Sequence, residues 1–127
     1  MLLGNLDVER LKWPAGKLHG GDIDVLARRH LWDKGLDYCH GTGHGVGHFL
    51  GVHEGPCAIS KYNTTNFQTG MIVTDEPGYY EKDKFGIRIE NMLLVQEKDG
   101  FNWFENLTLC PYDRQLIDKS LLTTSDV

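Results

Sequence analysis

Glycines stand at alternate positions, Gly41, Gly43, Gly45 and Gly47, inside the segment "HGTGHGVGHFLGVHEGP" that runs from His40 to Pro56. In a helix each would cost about 1 kcal/mol relative to alanine, so this stretch has to be extended or looped. That matters because the glycines separate histidines. His40, His44 and His48 recur every four residues and His53 follows five further on. On a helix the first three would form one stripe, the arrangement of zinc-protease ligands, but no H-E-x-x-H is present, since Glu54 follows His53 and leads straight into Gly55 and Pro56. What the glycines do provide is close approach, of another backbone or of a ligand, to the imidazoles beside them. A lone loop histidine is usually solvated or hydrogen-bonded. Four in one glycine-rich segment point towards a site.

The rest of the chain reads as one helix followed by strands. In "GGDIDVLARRHLWDKG", Ile23, Leu26, Ala27, His30 and Leu31 share a helical face, Asp22 suits the first turn and Gly35 the stop. Met71–Thr74 is a short β-branched run followed by a turn at Glu76, Pro77 and Gly78. "FGIRIENMLLVQE" alternates, with Ile87 and Ile89 opposite Arg88 and Glu90, before an apolar run expected to be fully buried, and "NWFENLTL" is a further strand. A helix first and several strands afterwards predict an α+β fold with antiparallel pairing.

Two acids in those strands raise the chemical question. Glu76 lies at the end of an apolar strand, where an ionised carboxylate needs a cation or hydrogen-bond donors. Glu90 precedes "MLLV", so a partner for its charge is also expected. In the plainer reading, Arg88, two residues away on the same face, pairs with Glu90. In the other, Glu76 and Glu90 converge with one or more histidines on a divalent cation, because carboxylate oxygen and imidazole nitrogen together suit Mn, Co, Zn or Fe. Spacing alone leaves both open.

Composition narrows the class. The 127 residues suffice for one modest domain, and 13 basic against 18 acidic residues give a net charge of -5, which argues against a nucleic-acid or anionic-membrane surface. No apolar run approaches the roughly 18 residues needed to span a membrane. Cys39, Cys57 and Cys110 are odd in number and include no C-x-x-C pair, so they read as reduced, largely buried thiols. With no charged-then-apolar leader ahead of the fold, a cytoplasmic location is expected, and the sequons at Asn63 and Asn106 are chance occurrences. The ends are abrupt: "MLLGNLDVERLKWPAG" opens on apolar residues without a cap, and "LLTTSDV" offers capping residues with almost no helix after them. The expectation is a fragment truncated at both ends.

"HGTGHGVGHFLGVHEGP", "GMIVTDEPGYY" and "FGIRIEN", in this order and at these separations, resemble the catalytic core of the Xaa-Pro aminopeptidases, and "ARRHLWDKGLDY" extends the similarity upstream. The resemblance implies the pita-bread fold of methionine aminopeptidases, prolidases and creatinases, of which residues 1–127 would be the second half. It implies two divalent metal ions, usually manganese, and five ligands. His44 resembles the histidine ligand, Glu76 a carboxylate ligand on one metal, and Glu90 the carboxylate that bridges both. His53 resembles the histidine that contacts the scissile carbonyl, His40 the one lining the substrate side, and Arg88 a residue behind the ligands that orients them. His48 matches no role.

Such a site releases the N-terminal residue from peptides with proline in second position. The remaining two ligands of the family are aspartates in the upstream half. Asp22 and Asp33 have the right separation but lie on the amphipathic helix, and are expected to be exposed helix residues. The fragment alone is therefore expected to be inactive, to carry three of five ligands, and to associate with the missing upstream half or with a second copy. A prolidase-like dipeptidase and a non-catalytic pita-bread binding module are the alternatives.

Overall fold

Apolar spacing decides the first half of the chain. In the computed structural model, which describes residues 1–126, helix α2 spans Gly20–Trp32 and buries Ile23, Ala27 and Leu31. The Asp22 carboxylate accepts from the His19 backbone N–H at 3.1 Å at its start, and Gly35, at φ 69°, turns the chain after it. His30, placed on the same face, is half-buried and meets Asp7 at 2.8 Å. Helix α1, Leu2–Glu9, begins without a side-chain cap and lies against α2. The contact is close because Gly4 has no side chain: a Cβ there would stand 2.2 Å from the Ala27 carbonyl oxygen.

Eight strands follow the period-2 segments and their turns: β1 Lys12–Pro14, β2 Gly43–His44, β3 Ala58–Ile59, β4 Ile72–Asp75, β5 Gly78–Glu81, β6 Phe85–Arg88, β7 Asn91–Lys98 and β8 Phe101–Asn106. β1, β8, β7 and β4, in that order, make the main sheet, while β2–β3 and β5–β6 are separate pairs. All pairings are antiparallel, as expected for this α+β chain. Between α2 and the main sheet lies the core, built on Trp13, Phe67 and Phe104 with ring centroids 4.8 to 5.8 Å apart and closed by Ile23, Ile59 and Leu93. A fully buried side chain of this size contributes about 1.5–3 kcal/mol.

Several expectations are corrected. "FGIRIENMLLVQE" is two strands rather than one, breaking at Ile89–Glu90, so that β6 pairs with β5 and β7 enters the main sheet. The "MLLV" run is not buried throughout: Asn91, Leu93 and Val95 face the core while Met92 and Leu94 are only half-buried. Consequently Glu90, at the break, is exposed. Gly78 opens β5 rather than completing a turn. Of the cysteines only Cys57 is buried; Cys39 and Cys110 are exposed, and all three are free. The C-terminal residues form two short 3-10 turns, capped by Asp113 and Asp118. Among the described residues no helix is long and apolar enough to cross a membrane.

The glycine-rich segment is extended as required, and the reason is contact. Gly43 pairs with Ile59, Gly45 bridges to Val73, and the segment thus lies across the end of β4. A Cβ on Gly43 would stand 1.7 Å from the Thr74 carbonyl oxygen, and one on Gly45 2.0 Å from that of Glu54. Neither obstacle is a side chain that could swing aside. Gly43→Ala is therefore expected to lower stability by about 2–3 kcal/mol in urea unfolding, by forcing β2 off β4; a loss below about 0.5 kcal/mol would show that the contact relaxes freely.

Candidate metal centre

His44 leaves β2 where it crosses β4, and its backbone N–H donates to the Thr74 hydroxyl at 3.0 Å. The same hydroxyl donates to Glu76 Oε1 at 2.9 Å, and the Glu76 backbone N–H is held by the Thr42 carbonyl at 2.7 Å. Thr74 on β4 and Glu76 just past its end thus project together, and one hydroxyl fixes both the histidine's backbone and the glutamate's carboxylate. The imidazole Nδ1 lies 2.9 Å from the Gly45 carbonyl. A carbonyl can only accept, so Nδ1 carries the proton and Nε2 turns outwards.

Nε2 is 3.1 Å from Glu76 Oε1. For a neutral ring these are two lone pairs facing one another, favourable only if a second proton or a cation lies between them. Glu90 comes in from the β6–β7 break, and one ligand atom each from His44, Glu76 and Glu90 lie within 4.8 Å of one another. Ligand atoms at about 2.1 Å from one ion, at right angles, are themselves roughly 3 Å apart. The donor set, one imidazole and two carboxylates with the histidine's other nitrogen anchored, fits a divalent transition metal.

The remaining histidines divide. His53 is exposed, with its ring centroid 4.1 Å from that of His44. His40 sits at the end of a directed chain: Arg88 Nε donates to Tyr80 Oη at 3.0 Å, Tyr80 O–H to His40 Nε2 at 2.7 Å, and His40 Nδ1 to the Gly41 carbonyl at 2.8 Å. Gly78 makes this possible, because a Cβ there would stand 2.3 Å from Tyr80 Oη and 2.9 Å from His40 Nε2. Arg28 holds the His40 carbonyl at 2.7 Å from below. His48 is exposed and lines a different hollow with Val46, Glu54 and Met92.

The Arg88–Glu90 ion pair of the plainer reading does not form among the described residues. Arg88 Nε stands 3.8 Å from Glu76 Oε2 and is bonded to Tyr80, since β6 ends at Arg88 and the backbone turns before Glu90. Asp22 is an exposed helix residue, as expected, whereas Asp33, also exposed, is the C-cap one residue past the end of α2. Next to Glu76, Asp75 is buried with neither carboxylate oxygen hydrogen-bonded; burial, then the charges of Glu9 and Glu76, push its carboxyl well above the usual range and favour the neutral acid. Thr74 and Tyr80 are the contributors that sequence reading passed over. Thr-x-Glu on a strand, which puts hydroxyl and carboxylate on one face, was the signal available for the first.

Residues 8–97 match metallopeptidase family M24, and residues 100–127 match the C-terminal region of peptidase M24. The chain belongs to metallopeptidase family M24. Within it, Xaa-Pro aminopeptidase 1 of Dictyostelium discoideum is 52% identical over 136 residues, covering 100% of this chain and 22% of the relative. The X-prolyl aminopeptidase of Caenorhabditis elegans, described as a cytosolic enzyme with a di-nuclear active site, superposes with TM-score 0.91 at 43% identity over 98% of this chain and 21% of that one. Prolidase from Pyrococcus furiosus gives 0.74 at 30% identity, over 87% of this chain and 32% of that one. The M24 chain thus has the pita-bread fold of these enzymes, and it spans about a fifth of the length of its Xaa-Pro aminopeptidase relatives.

Thr74→Val keeps the strand's shape but removes the hydroxyl shared by His44 and Glu76. Leaving the His44 N–H without its acceptor is expected to cost about 1–3 kcal/mol of stability by urea unfolding; no measurable cost would mean that Thr74 does not organise the centre.

Proposed function

We propose that residues 1–127 are the C-terminal portion of an M24 catalytic domain, truncated at both ends, whose parent protein is a metal-dependent Xaa-Pro aminopeptidase. The observation that carries this is the convergence of His44, Glu76 and Glu90 within 4.8 Å in an M24 chain. Relatives near 50% identity that bear the Xaa-Pro aminopeptidase name support it. The substrate is a peptide with proline in second position, and the parent is cytoplasmic, consistent with free, partly exposed thiols.

His44 Nε2, Glu76 and Glu90 are the residues of this chain that would hold two divalent cations, manganese in this reading. When bound, these supply Lewis-acid activation of water and of the peptide carbonyl. The protein's own part is positional and electrostatic. Thr74 and the Gly45 carbonyl keep the ligand atoms aimed. Arg88, 3.8 Å from Glu76, offsets acidic charge and through Tyr80 fixes the tautomer of His40. With Nδ1 donating to Gly41 and Nε2 accepting from Tyr80, His40 forms a rigid wall for the substrate rather than an acid. His53 lies against the His44 ring in reach of the same space, where an imidazole N–H can donate to the oxygen that gains charge as the peptide bond is attacked. A prolyl bond has no N–H, so recognition here needs no acceptor for one.

Two further ligands come from the upstream half of the domain. Phe49, Leu50 and Val52, exposed just before His53, give that half or a second copy apolar surface to cover. With manganese added, the 127-residue chain alone is expected to release no N-terminal residue from an Xaa-Pro tripeptide, and the chain joined to its upstream half to release it. Turnover by the chain alone would overturn the fragment reading, and a joined protein that cleaves only dipeptides would overturn the aminopeptidase. In the joined protein, Glu90→Ala is expected to abolish manganese-dependent thermal stabilisation.

A further inference from the structure

The two acids of the centre leave the main sheet at the point where its ladder ends. Asp75↔Asn91 is the last pair of β4 and β7, after which Glu76 runs on towards β5 and Glu90 arrives from β6. Between this pair and the first pair of the β5–β6 hairpin, Gly78↔Arg88, the two segments that carry Glu76 and Glu90 share one main-chain bond, from the Ile89 N–H to the Pro77 carbonyl at 3.3 Å. The side chain of Asn5, fully buried on α1, adds a second link there. Its Nδ2 lies 3.1 Å from the Asp75 carbonyl oxygen and 3.5 Å from that of Ile89. These are the carbonyls of the peptide units that lead into Glu76 and Glu90.

We propose that Asn5 is a positioning residue for the metal centre, its amide serving as a side-chain rung that ties the Asp75 and Ile89 carbonyls together beside the lone Ile89–Pro77 main-chain bond and so holds the spacing of the two acidic ligands. The inference rests on the metal reading above and adds a residue to it.

The orientation of the amide follows from its surroundings. Two carbonyl oxygens accept only, so nitrogen has to face them, and Oδ1 then points to donors. It finds two, Asn91 Nδ2 at 3.1 Å and the Tyr112 hydroxyl at 3.0 Å, and the Tyr112 oxygen in turn accepts from Asn91 at 2.7 Å. Asn5 therefore meets both residues next to Glu76 and Glu90 on their sheet side, Asp75 and Asn91, as well as Ile89. Both its donors and both its acceptor sites are used, which leaves it no alternative rotamer of equal bonding. The helix that presents it cannot drift, since Gly4 beside it lies directly on the Ala27 carbonyl. Tyr112 brings the C-terminal segment into the same cluster, a role for that segment in holding the centre rather than merely following it.

Titration of the chain joined to its upstream half with Co2+, followed by its visible spectrum, tests this in Asn5→Leu, in Tyr112→Phe and in Val8→Ala. Val8 is a buried residue of the same helix that is not part of the rung. Asn5→Leu is expected to weaken Co2+ binding by roughly tenfold or more and to change the spectrum, the range seen when residues behind metal ligands are removed. Tyr112→Phe, which keeps the ring and deletes only the bond to Asn5, is expected to lose roughly two- to fivefold. Val8→Ala should lower the melting temperature while leaving affinity and spectrum in place. Asn5→Leu and Tyr112→Phe both binding within twofold of the parent, with its spectrum, would overturn the rung; should Asn5→Leu not fold, Tyr112→Phe decides by the same criterion. A joined protein of unaltered sequence with no Co2+ spectrum defeats the metal reading itself, a result distinct from unchanged variants.

Discussion

Everything about the centre depends on one backbone contact, that of the His40–Pro56 segment with the end of β4. With a side chain at position 43 the two could not meet, because the obstacle is the carbonyl of Thr74, and with one at 45 the segment could not fold back on its own Glu54 carbonyl. Once they do meet, the remaining placements follow from short hydrogen bonds. The His44 amide reaches the Thr74 hydroxyl, Thr74 reaches Glu76, and the Glu76 amide reaches Thr42 on the segment that began the contact. The ring of four groups is closed, so no member can be moved without its neighbours.

Acid chemistry explains why the centre lies at the end of the sheet. Inside the ladder a charged carboxylate would be desolvated beyond recovery, as the fate of Asp75 shows: fully buried, unbonded and driven towards its neutral form. One residue further on, Glu76 is half-buried with a hydroxyl and a distant guanidinium for company, and Glu90 is exposed. The β4–β7 ladder ends where charge becomes tolerable, and the two acids stand just beyond its last pair.

Much of this was legible beforehand, and for identifiable reasons. The period of Ile23, Ala27 and Leu31 gave α2, and alternating glycines excluded a helix around the histidines, since both are local properties of the chain. The three blocks around His44, Glu76 and Glu90 carried the family resemblance, and those residues do come together in space. What failed was partner choice. Arg88 and Glu90 share strand parity but not a strand, because the backbone breaks between them, and parity says nothing of a break. Tyr80 and Asn5 were passed over for a related reason: each acts on residues at least 8 and up to 107 positions away, and an isolated Tyr or Asn in sequence carries no mark of such a partner. Burial of Cys39 and Cys110 was inferred from residue type, which states an average tendency and not a position.

Asn5 and Tyr112 are 107 residues apart, so their bond joins nearly the two ends of the chain. Arg10 and Asp126 repeat the connection nearby. Closing a loop of that length is entropically unfavourable and slow relative to forming a helix or hairpin, and it gains its reward only when the intervening sheet already exists. During synthesis, α2, the β5–β6 hairpin and the β7–β8 hairpin can form as they emerge, whereas the polar cluster behind the acids has to wait for Tyr112. A chain interrupted shortly before Tyr112 would hold every proposed ligand present here and still lack the cluster that completes their support, so the backing of the acids is the last part of this half to form.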